Sequence, residues 1–442
     1  MSAQSAAAVA GSDGRPWARA AAWLAFLGPF FFASYGFATW WTAQRHDVPF
    51  VVFEWERWIP FVPWTIVPYW AIDVLYGISL FLCATRAELD RHALRLFTAQ
   101  VISVSAFLLY PLRFTFERPE VEGLFGAMFT VLGGFDRPFN QAPSLHISLL
   151  VILWALYARH TPPRWRIALH AAFLLIGVSV LTTYQHHFID IPTGVVVGML
   201  CLWLWPDGQP SPLQGAQLAR DPARRRLAVR YALGAGAMAL VSGLLGGAFL
   251  WLCWVALALA LVALIYAALG AHAFQKHGGR LSLGAASLLA PYTAGAWINS
   301  RAWTWRDRAP AEIADGVWIG RVPAPHDLLA RDWAIVDLCA ELPVDPPARG
   351  YAHVPVLDLC AATPADLRAA ALAIEGLRAH GPVLVCCALG YSRSACAVAA
   401  WLLMTRRSHD VREAIARVRK ARPAAVLAAH HERTLAQLVV AQ

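Results

Sequence analysis

Charged residues are scarce in this chain of 442 residues: Asp, Glu, Lys and Arg make up 15% of it, whereas 58% of it is hydrophobic. A soluble globular protein of this length does not need so large an apolar fraction. Most of the apolar excess lies before residue 300. The composition therefore argues against a wholly soluble chain and predicts a membrane-embedded part followed by a different kind of domain.

Cysteine pairs at metal-ligand spacing are also lacking. Of the eight cysteines, four cluster in the last third of the chain, at positions 339, 360, 386 and 387. This distribution is not that of a disulfide framework, and it predicts neither a metal site nor a cofactor. Residues 1–15 lack the pattern of a signal peptide, and the apolar run after them is too long for one, so we expect a retained anchor.

The net charge of +9 comes largely from arginines that lie between apolar runs. Arginine in short loops sets the orientation of membrane proteins, so the charge indicates membrane topology and not nucleic-acid binding. The arginine bias places the N-terminus in the cytoplasm and the loops Arg113–Gln141 and Tyr184–Phe188 on the outer side. We expect an integral membrane protein of a bacterial inner membrane.

Apolar runs long enough to cross a bilayer occur before residue 206 at about Ala18–Trp41, Trp64–Ala84, Leu94–Leu112, Pro143–Tyr157, Ile167–Thr183 and Ile191–Trp205. A linker rich in Pro, Gly, Gln and Arg follows, and then two further runs at about Ala228–Gly246 and Phe249–Leu269. The run Leu281–Ile298 contains Pro291. A span, a re-entrant piece and an interfacial helix all remain open for it.

The region after Trp303 has a different pattern. Strand-like runs occur at Val317–Val322, Ala334–Leu338, Val354–Leu357 and Val383–Cys386. Amphipathic helical patterns alternate with them, and one begins with Thr363, Pro364 and Asp366, which is a capping sequence with proline in the first turn. Alternating strands and helices predict a compact α/β domain.

The most informative stretch is Val385–Ser394. An apolar run ends in a cysteine, Cys387, five residues separate it from Arg393, and a helical pattern follows. A strand, a tight loop and a helix N-terminus together form a cradle for an anion, in which Cys387 is a candidate thiolate nucleophile. Arg393 would bind the anion with its fork, and Gly390 allows a backbone that a side chain would block. The alternative is a buried core cysteine beside a surface arginine.

This loop resembles the signature of the cysteine-dependent dual-specificity phosphatases. Ser394 matches the hydroxyl residue that helps the thiolate leave, whereas the usual histidine before the nucleophile is replaced by Cys386. The resemblance implies that the loop binds the substrate phosphate through Ala388, Leu389, Gly390, Tyr391, Ser392 and Ser394. This set is not basic, which argues against highly phosphorylated headgroups as substrates.

An ester leaving group needs a proton as it departs. Asp358 follows the strand-like run Val354–Leu357, and in the resembling family an aspartate in this place supplies that proton. Asp337 and Asp345 are alternatives that lie further upstream and do not match. The resemblance implies a phosphocysteine intermediate at Cys387, and no metal is needed.

The membrane part contains a second constellation. His146 lies at the start of one span, and His186 precedes Asp190 by four positions, so on a helix the pair would share one face. A carboxylate there holds the imidazole in one tautomer. Two histidines and an aspartate suit phosphoryl transfer, with one histidine as the nucleophile and the other as the acid.

Residues 60–206 resemble the type-2 phosphatidic acid phosphatase superfamily, and the Leu before the first histidine is similar to the inositol phosphorylceramide synthase branch. The resemblance implies that His186 is the nucleophile, oriented by Asp190, and that His146 is the acid. The arginine often found six positions before the nucleophile is replaced here by Val180. For phosphate contact we predict Arg137, with Arg118 as an equal alternative.

Together these patterns predict a polytopic α-helical membrane domain fused to a soluble α/β cysteine-phosphatase domain. The predicted bounds are 18–206 for the phosphatidic acid phosphatase-like domain, 207–227 for a linker, 228–300 for additional spans and 303–442 for the α/β domain. Expected substrates are a lipid phosphate or polyprenyl phosphate at the histidine site, and a phosphoprotein or phospholipid at the cysteine site.

Two alternatives remain for the chemistry: a headgroup phosphotransferase in the membrane half, and a C-terminal domain that binds phosphate without turnover. Topology bears on the second site. If Leu281–Ile298 does not cross the bilayer, eight spans leave Cys387 in the reducing cytoplasm, which suits a thiolate; a ninth span would place it outside.

Overall fold

The computed structural model describes residues 14–135, 137–329 and 332–440. The chain divides into two compact units, with the boundary between Pro210 and Ser211. Most of the N-terminal stretch 1–15, for which we expect no signal peptide, and the last two residues of the predicted 303–442 domain lie outside the described residues.

The first unit is helical. Long apolar runs form its helices, and polar residues cap them: Thr85 accepts a hydrogen bond from the Glu88 N–H, and Ser144 accepts one from the Ile147 N–H. The helices are α1 (Trp17–Thr42), α2 (Ile66–Leu82), α3 (Arg86–Leu109), α4 (Gly123–Phe135), α5 (Leu145–His160), α6 (Arg166–Thr182) and α7 (Asp190–Leu204).

Among the described residues, six helices are long and apolar enough to cross a membrane: Trp17–Thr42, Pro63–Leu82, Arg86–Leu109, Pro163–Thr182, Pro222–Leu245 and Gly247–Leu269. The predicted runs Pro143–Tyr157 and Ile191–Trp205 form the shorter helices α5 and α7, of 16 and 15 residues. At 1.5 Å per residue each extends about 24 Å or less. That is shorter than the hydrocarbon core of a typical bilayer, which is about 30 Å thick.

Helix α4 lies within Arg113–Gln141, the predicted loop between two spans, and the sequence reasoning did not anticipate it. Its 13 residues are apolar, but glycine at positions 123, 126, 133 and 134 lowers the intrinsic helix propensity and obscured the helical pattern. Gly126 lies so close to the Val121 carbonyl that a Cβ would be 1.9 Å from its oxygen. The glycine therefore permits a close backbone approach at the start of α4.

The second unit begins with a helical hairpin. Helix α8 (Pro222–Leu245) starts inside the segment predicted as a linker, because Asp221 caps it and Pro222 occupies its first position. The chain returns through a 3₁₀ turn (Gly247–Trp251), α9 (Leu252–Leu264) and a π-helical turn (Ile265–Leu269).

The run Leu281–Ile298 is interrupted. After the short hairpin of β1 (Lys276–His277) and β2 (Arg280–Leu281), it forms α10 (Leu283–Leu288) and α11 (Ala290–Trp303). Pro291 lies in the first turn of α11, where its missing N–H is tolerated, but it cannot continue the preceding helix. Neither helix has the length to cross a bilayer.

The rest of the second unit is an α/β domain around a five-stranded sheet of order β3–β4–β7–β5–β6. β3 pairs antiparallel with β4, and the other pairs are parallel. The strands are β3 (Ala311–Ala314), β4 (Val317–Arg321), β5 (Ala334–Cys339), β6 (Tyr351–Val356) and β7 (Val383–Cys387). The helices are α12 (Pro325–Leu329), α13 (Pro364–Arg378), α14 (Arg393–Met404), α15 (Val411–Ala421) and α16 (Ala429–Val440).

All four strand-like runs predicted from the sequence are strands of the five-stranded sheet, whereas its short edge strand β3 and the two-residue strands β1 and β2 were missed. Strands β5 and β7 are buried along their whole length, which explains why they read as continuous apolar runs and not as alternating ones. The predicted cap of α13 is present, because the Thr363 side chain accepts from the Asp366 N–H. Trp401 of α14 is fully buried in the core.

A buried ion pair joins the helical part of the second unit to its sheet. The Lys276 ammonium lies 2.5 Å from the Asp337 carboxylate and also donates to the carbonyls of Cys339 and Leu342. Buried charges are tolerated only when they are paired and hydrogen-bonded in this way. The contact therefore fixes β1 against the end of β5.

Replacing Lys276 by Met would leave the Asp337 carboxylate buried without its partner, and breaking a buried pair costs about 3–5 kcal/mol. We expect Lys276→Met to lower the thermal unfolding midpoint of the full-length protein in detergent by several degrees. Arg280→Met is the matched control, since the Arg280–Asp345 pair is 77% and 57% exposed and exposed pairs contribute about 0–1 kcal/mol. Equal midpoints for the two variants would contradict this expectation.

Candidate functional site

The loop from Cys387 to Arg393 joins the end of β7 to the start of α14. The Gly390 N–H donates to the Cys387 sulfur at 3.3 Å, and the Ser394 hydroxyl lies 3.3 Å from the same sulfur. The predicted order of strand, tight loop and helix is therefore present.

Gly390 is required by the backbone of this loop. Its φ is +74°, and an added Cβ would lie 2.3 Å from the carbonyl carbon of Gly320 and 2.6 Å from the Arg321 nitrogen. Both neighbours are main-chain atoms of β4, which cannot move aside without breaking the sheet. A side chain at position 390 would thus displace the loop.

Arg393 is buried beneath the loop and is held by three elements. Its guanidinium makes a bidentate pair with Glu341, at 2.7 and 3.0 Å, and donates to the Val356 carbonyl at 2.8 Å. Asp358 also lies 3.0 Å from it. The Glu341 carboxylate occupies the Nη1–Nη2 edge of the guanidinium, so an anion would use the other edge, and the predicted bidentate contact with it stays a prediction.

Glu341 was missed by the sequence reasoning. It lies two residues beyond β5, and Asp358 lies two residues beyond β6, so both follow the carboxyl ends of neighbouring parallel strands. Sites in such sheets form at this edge. The sequence signal that could have identified Glu341 is a charged residue shortly after a fully buried strand.

Asp358 is the one of the three candidate acids that reaches the site. Its side chain is 31% exposed, and burial raises the pKa of its carboxyl, while the Arg393 guanidinium opposes that rise. Asp337 instead pairs with Lys276 and accepts a hydrogen bond from the Tyr351 hydroxyl. Asp345 pairs with Arg280.

The outer part of the loop is held by the C-terminal helices. The Arg422 guanidinium donates to the Gly390 carbonyl at 3.0 Å, and the Val426 N–H donates to the Tyr391 carbonyl at 2.7 Å. His431 lies 3.0 Å from the Ser392 hydroxyl, and its other ring nitrogen accepts from the Ala428 N–H. Burial lowers the pKa of His431 to about 4, so the neutral ring donates to Ser392.

Cys386, which stands where the resembling family usually has histidine, is fully buried and packs with Ile335 and Cys339. Successive strand residues point to opposite faces of a sheet. Burial raises the pKa of the Cys386 thiol well above its ordinary value. Cys386 is therefore a core thiol and not a second nucleophile.

In the first unit, His146 and His186 line one cavity of about 140 Å³. His186 Nδ1 lies 2.9 Å from the Asp190 carboxylate, and its Nε2 lies 3.2 Å from the Ser144 hydroxyl. The His146 ring stacks on Tyr69 at 4.3 Å, and its Nε2 is buried without a hydrogen-bond partner in the described part of the chain. The three predicted residues are thus brought together.

One detail of that prediction is wrong. His186 and Asp190 do not share a helix face, because His186 lies in the turn between α6 and α7 and Asp190 is the first residue of α7. The turn nevertheless brings the imidazole onto the carboxylate. His187, beside it, is buried and hydrogen-bonded to Glu56 and Thr115, so it contributes to packing.

Neither predicted phosphate-binding arginine lines this cavity among the residues that the structure describes. Arg118 donates to the carbonyls of Thr183 and Tyr184, and its guanidinium lies over the Phe129 ring at 4.7 Å. Arg137 is exposed. Arg118 therefore braces the turn that carries His186, and the polar cavity-lining residues that sequence reasoning did not name are Asp73 and Asn140.

Residues 336–440 match the family described as dual specificity phosphatase, catalytic domain. Among solved structures, the chain is similar to Tk-PTP in its active form, at 28% identity over 30% of this chain and 96% of that chain, with a TM-score of 0.26. It is also similar to human DUSP28, at 26% identity over 30% of this chain and 93% of that chain, with a TM-score of 0.28. No curated protein matches the sequence.

The family match lies wholly within the second unit and contains Glu341, Asp358, Cys387 and Arg393. The match supports a dual-specificity phosphatase domain at residues 336–440, and the chain has phosphoric monoester hydrolase activity.

The loop geometry predicts the effect of a single methyl group. Gly390→Ala should lower kcat for p-nitrophenyl phosphate by about 100-fold or more, which is the usual cost of removing one preorganised anion-binding donor. Gly376→Ala is the matched control, because a Cβ there meets nothing within 4 Å, and it should retain full activity. Comparable activity of the two variants would show that the Gly390 backbone is not needed.

Proposed function

We propose that the second unit hydrolyses phosphate monoesters through a phosphocysteine intermediate, with Cys387 as the nucleophile, Arg393 as the phosphate-binding cation and Asp358 as the general acid. The observation that carries this proposal is the convergence of the three residues: Asp358 lies 3.0 Å from the Arg393 guanidinium, at the base of the loop that surrounds the Cys387 sulfur. Cys387 is the last residue of β7, Asp358 follows β6, and Arg393 begins α14. All three therefore lie at the carboxyl-terminal edge of the sheet.

The reaction has two steps. The Cys387 thiolate attacks phosphorus, an S–P bond forms as the P–O bond to the leaving group breaks, and Asp358 gives its proton to the departing oxygen. A water molecule then attacks phosphorus, Asp358 takes its proton, and the S–P bond breaks. The Ser394 hydroxyl, 3.3 Å from the sulfur, stabilises the thiolate that leaves, and the loop N–H groups of residues 388–392 hold the phosphoryl oxygens.

Glu341 is a positioning residue in this scheme. Burial alone would raise the pKa of its carboxyl, but the paired Arg393 guanidinium outweighs burial and holds it below the usual value. Glu341 therefore stays ionised and fixes the plane of the guanidinium. A phosphate bound to Arg393 Nη2 would compete with the Asp358 carboxylate for this nitrogen. This competition favours movement of the Asp358 carboxyl group towards the leaving group.

A domain that binds phosphate without turnover is the alternative for this unit. It does not require a proton donor beside the arginine. The raised pKa of Asp358 favours catalysis, because a general acid must carry its proton near the working pH.

The pH profile tests this role. As the pH rises through the pKa of Asp358, the wild type should lose activity on an alkyl phosphate, and the raised pKa moves this loss to a higher pH than for an ordinary aspartate. Asp358→Asn should lower kcat by about 10²- to 10⁴-fold and remove that decline. The loss should be smaller on p-nitrophenyl phosphate, whose leaving group needs little protonation.

Asp345→Asn is the control, because its carboxylate pairs with Arg280 away from the site. An equal loss on both substrates for Asp358→Asn, or an unchanged pH profile, would rule out Asp358 as the acid.

A second candidate function belongs to the first unit: phosphoryl transfer from a lipid phosphate or polyprenyl phosphate by histidine. It is supported by the shared cavity of His146 and His186. When His186 Nδ1–H donates to Asp190, Nε2 holds the lone pair that attacks phosphorus. The His146 Nε2, which is buried without a partner among the described residues, would protonate the leaving oxygen. Water as the acceptor gives a phosphatase, and a lipid alcohol gives a phosphotransferase.

Both functions are proposed for an integral membrane protein, which is supported by the six long apolar helices. The break of the run Leu281–Ile298 into two short helices supports an even number of crossings. The Cys387 domain would then lie on the same side as the N-terminus, which the arginine bias places in the cytoplasm.

Paired variants separate the two sites. In the full-length protein reconstituted in vesicles, Cys387→Ser should abolish hydrolysis of p-nitrophenyl phosphate, while His186→Ala should retain it. A panel of lipid phosphates should contain at least one substrate whose hydrolysis Cys387→Ser keeps and His186→Ala loses. The control is His170→Ala, an exposed histidine whose Nδ1 accepts a hydrogen bond from the Trp154 indole N–H.

Hydrolysis of every substrate by the Cys387→Ser protein would contradict the cysteine mechanism. If Cys387→Ser abolished lipid-phosphate hydrolysis and His186→Ala left it unchanged, the first unit would have no catalytic role.

A further inference from the structure

The loops that form the Cys387 site are hydrogen-bonded to the helices of the same unit. The Ser300 hydroxyl of α11 is buried and donates to the Ala388 carbonyl at 2.5 Å. The Tyr266 hydroxyl, from the π-helical turn, donates to the Asp358 carbonyl at 3.0 Å. The site is therefore built in contact with apolar helices, and not on a face of the α/β domain that is remote from them.

Three tyrosines from separate helical segments form one wall beside the site. Tyr231 of α8 packs against Tyr266 and against Tyr292 of α11, with ring centroids 5.4 and 5.8 Å apart. Because the Tyr266 hydroxyl donates to the Asp358 carbonyl, this wall lies beside the segment that carries the candidate acid.

This wall marks one end of an apolar hairpin. Tyr231 lies in the first half of α8, and Tyr266 lies where the returning helix ends. About 21 Å of helix, at 1.5 Å per residue, separates Tyr231 from the far end of α8 at Leu245. Leu233, Leu240 and Leu244 on that stretch are exposed, so the hairpin presents apolar side chains up to the level of the site.

Exposed aromatic and basic residues lie near the C-terminal end of α11, beside the loop from Cys387 to Arg393. Trp297 and Trp303 are 47% and 70% exposed, and the Arg301 guanidinium lies over the Trp297 ring at 5.0 Å. Tryptophan and arginine in this combination are typical of the boundary between lipid and water. Tyr391 of the loop donates to the Trp303 carbonyl at 3.4 Å, which places the loop beside this boundary.

We infer that the substrate of the Cys387 site is the phosphate monoester headgroup of a membrane lipid, presented from the bilayer surface in which the hairpin α8–α9 is embedded. This inference rests on the proposed phosphatase function. The loop side chains Ala388, Leu389 and Tyr391 are uncharged, which fits one phosphate group and not several. Hydrolysis breaks the bond between phosphorus and the lipid oxygen, Asp358 protonates that oxygen, and water completes the release of orthophosphate and a lipid alcohol.

The test uses the full-length His186→Ala protein in phosphatidylcholine vesicles, so that the histidine site contributes nothing. Three probes are compared: phosphatidic acid in the same vesicles, a soluble tyrosine-phosphorylated peptide, and p-nitrophenyl phosphate. We expect kcat/KM for phosphatidic acid to exceed that for the peptide by about 100-fold, a difference of about 2.7 kcal/mol in transition-state stabilisation. Adding Cys387→Ser should remove all three activities.

The probes separate the inference from the function on which it rests. Hydrolysis of p-nitrophenyl phosphate and the peptide, with phosphatidic acid left intact, would overturn the lipid inference alone. Absence of all three activities before Cys387 is replaced would overturn the phosphatase proposal as well.

A variant tests the position of the site at the boundary. Trp297→Ser should lower kcat/KM for phosphatidic acid by about ten-fold, as expected for the loss of one anchoring contact, and leave p-nitrophenyl phosphate hydrolysis unchanged. Leu372→Ser is the matched control, since Leu372 is an apolar residue of α13 that is 62% exposed. Equal effects of the two variants on phosphatidic acid hydrolysis would overturn the proposed position.

Discussion

The structure of the second unit depends on one buried guanidinium. Arg393 carries a charge into the interior, where an unpaired ion costs several kcal/mol, and the fold compensates it with Glu341 after β5, the Val356 carbonyl of β6 and Asp358 after β6. These partners tie the ends of neighbouring parallel strands to the first turn of α14. The same pairing keeps a cation beneath the Cys387 loop. One interaction therefore both holds the strand ends together and supplies positive charge to the site.

In our proposal the two units carry out similar chemistry by different means. In one, the Cys387 sulfur contacts the Gly390 N–H and the Ser394 hydroxyl; in the other, an imidazole is held by a buried carboxylate, with Asp190 2.9 Å from His186. In each case a carboxylate holds the group to which our proposal assigns the phosphate, Glu341 for Arg393 and Asp190 for His186. Such support from a second residue is what keeps a reactive group within the narrow geometry that phosphoryl transfer needs.

The helices of the second unit have two roles in our proposal. Their outer surfaces are apolar and exposed, as at Leu240 and Leu244, while Ser300 and Tyr266 on their inner side hold the loops of the site. A loop fixed in this way loses less conformational entropy when substrate binds. Membrane attachment and preorganisation of the site would thus come from the same segments.

The amino-acid sequence alone determined the features that depend on neighbouring residues: the apolar helices, the capped start of α13, the order of strand, loop and helix around Cys387, and the spacing of Cys387, Gly390 and Arg393. Tertiary structure decided the contacts between distant positions. Glu341 and Arg393 are 52 positions apart and Tyr266 and Asp358 are 92 apart, so no local pattern joins them. The glycine-rich helix α4 and the short strand β3 were missed because packing, and not intrinsic propensity, stabilises them. Side chains near in sequence follow periodicity and caps, whereas partners from separate elements are selected only when the sheet and helices pack.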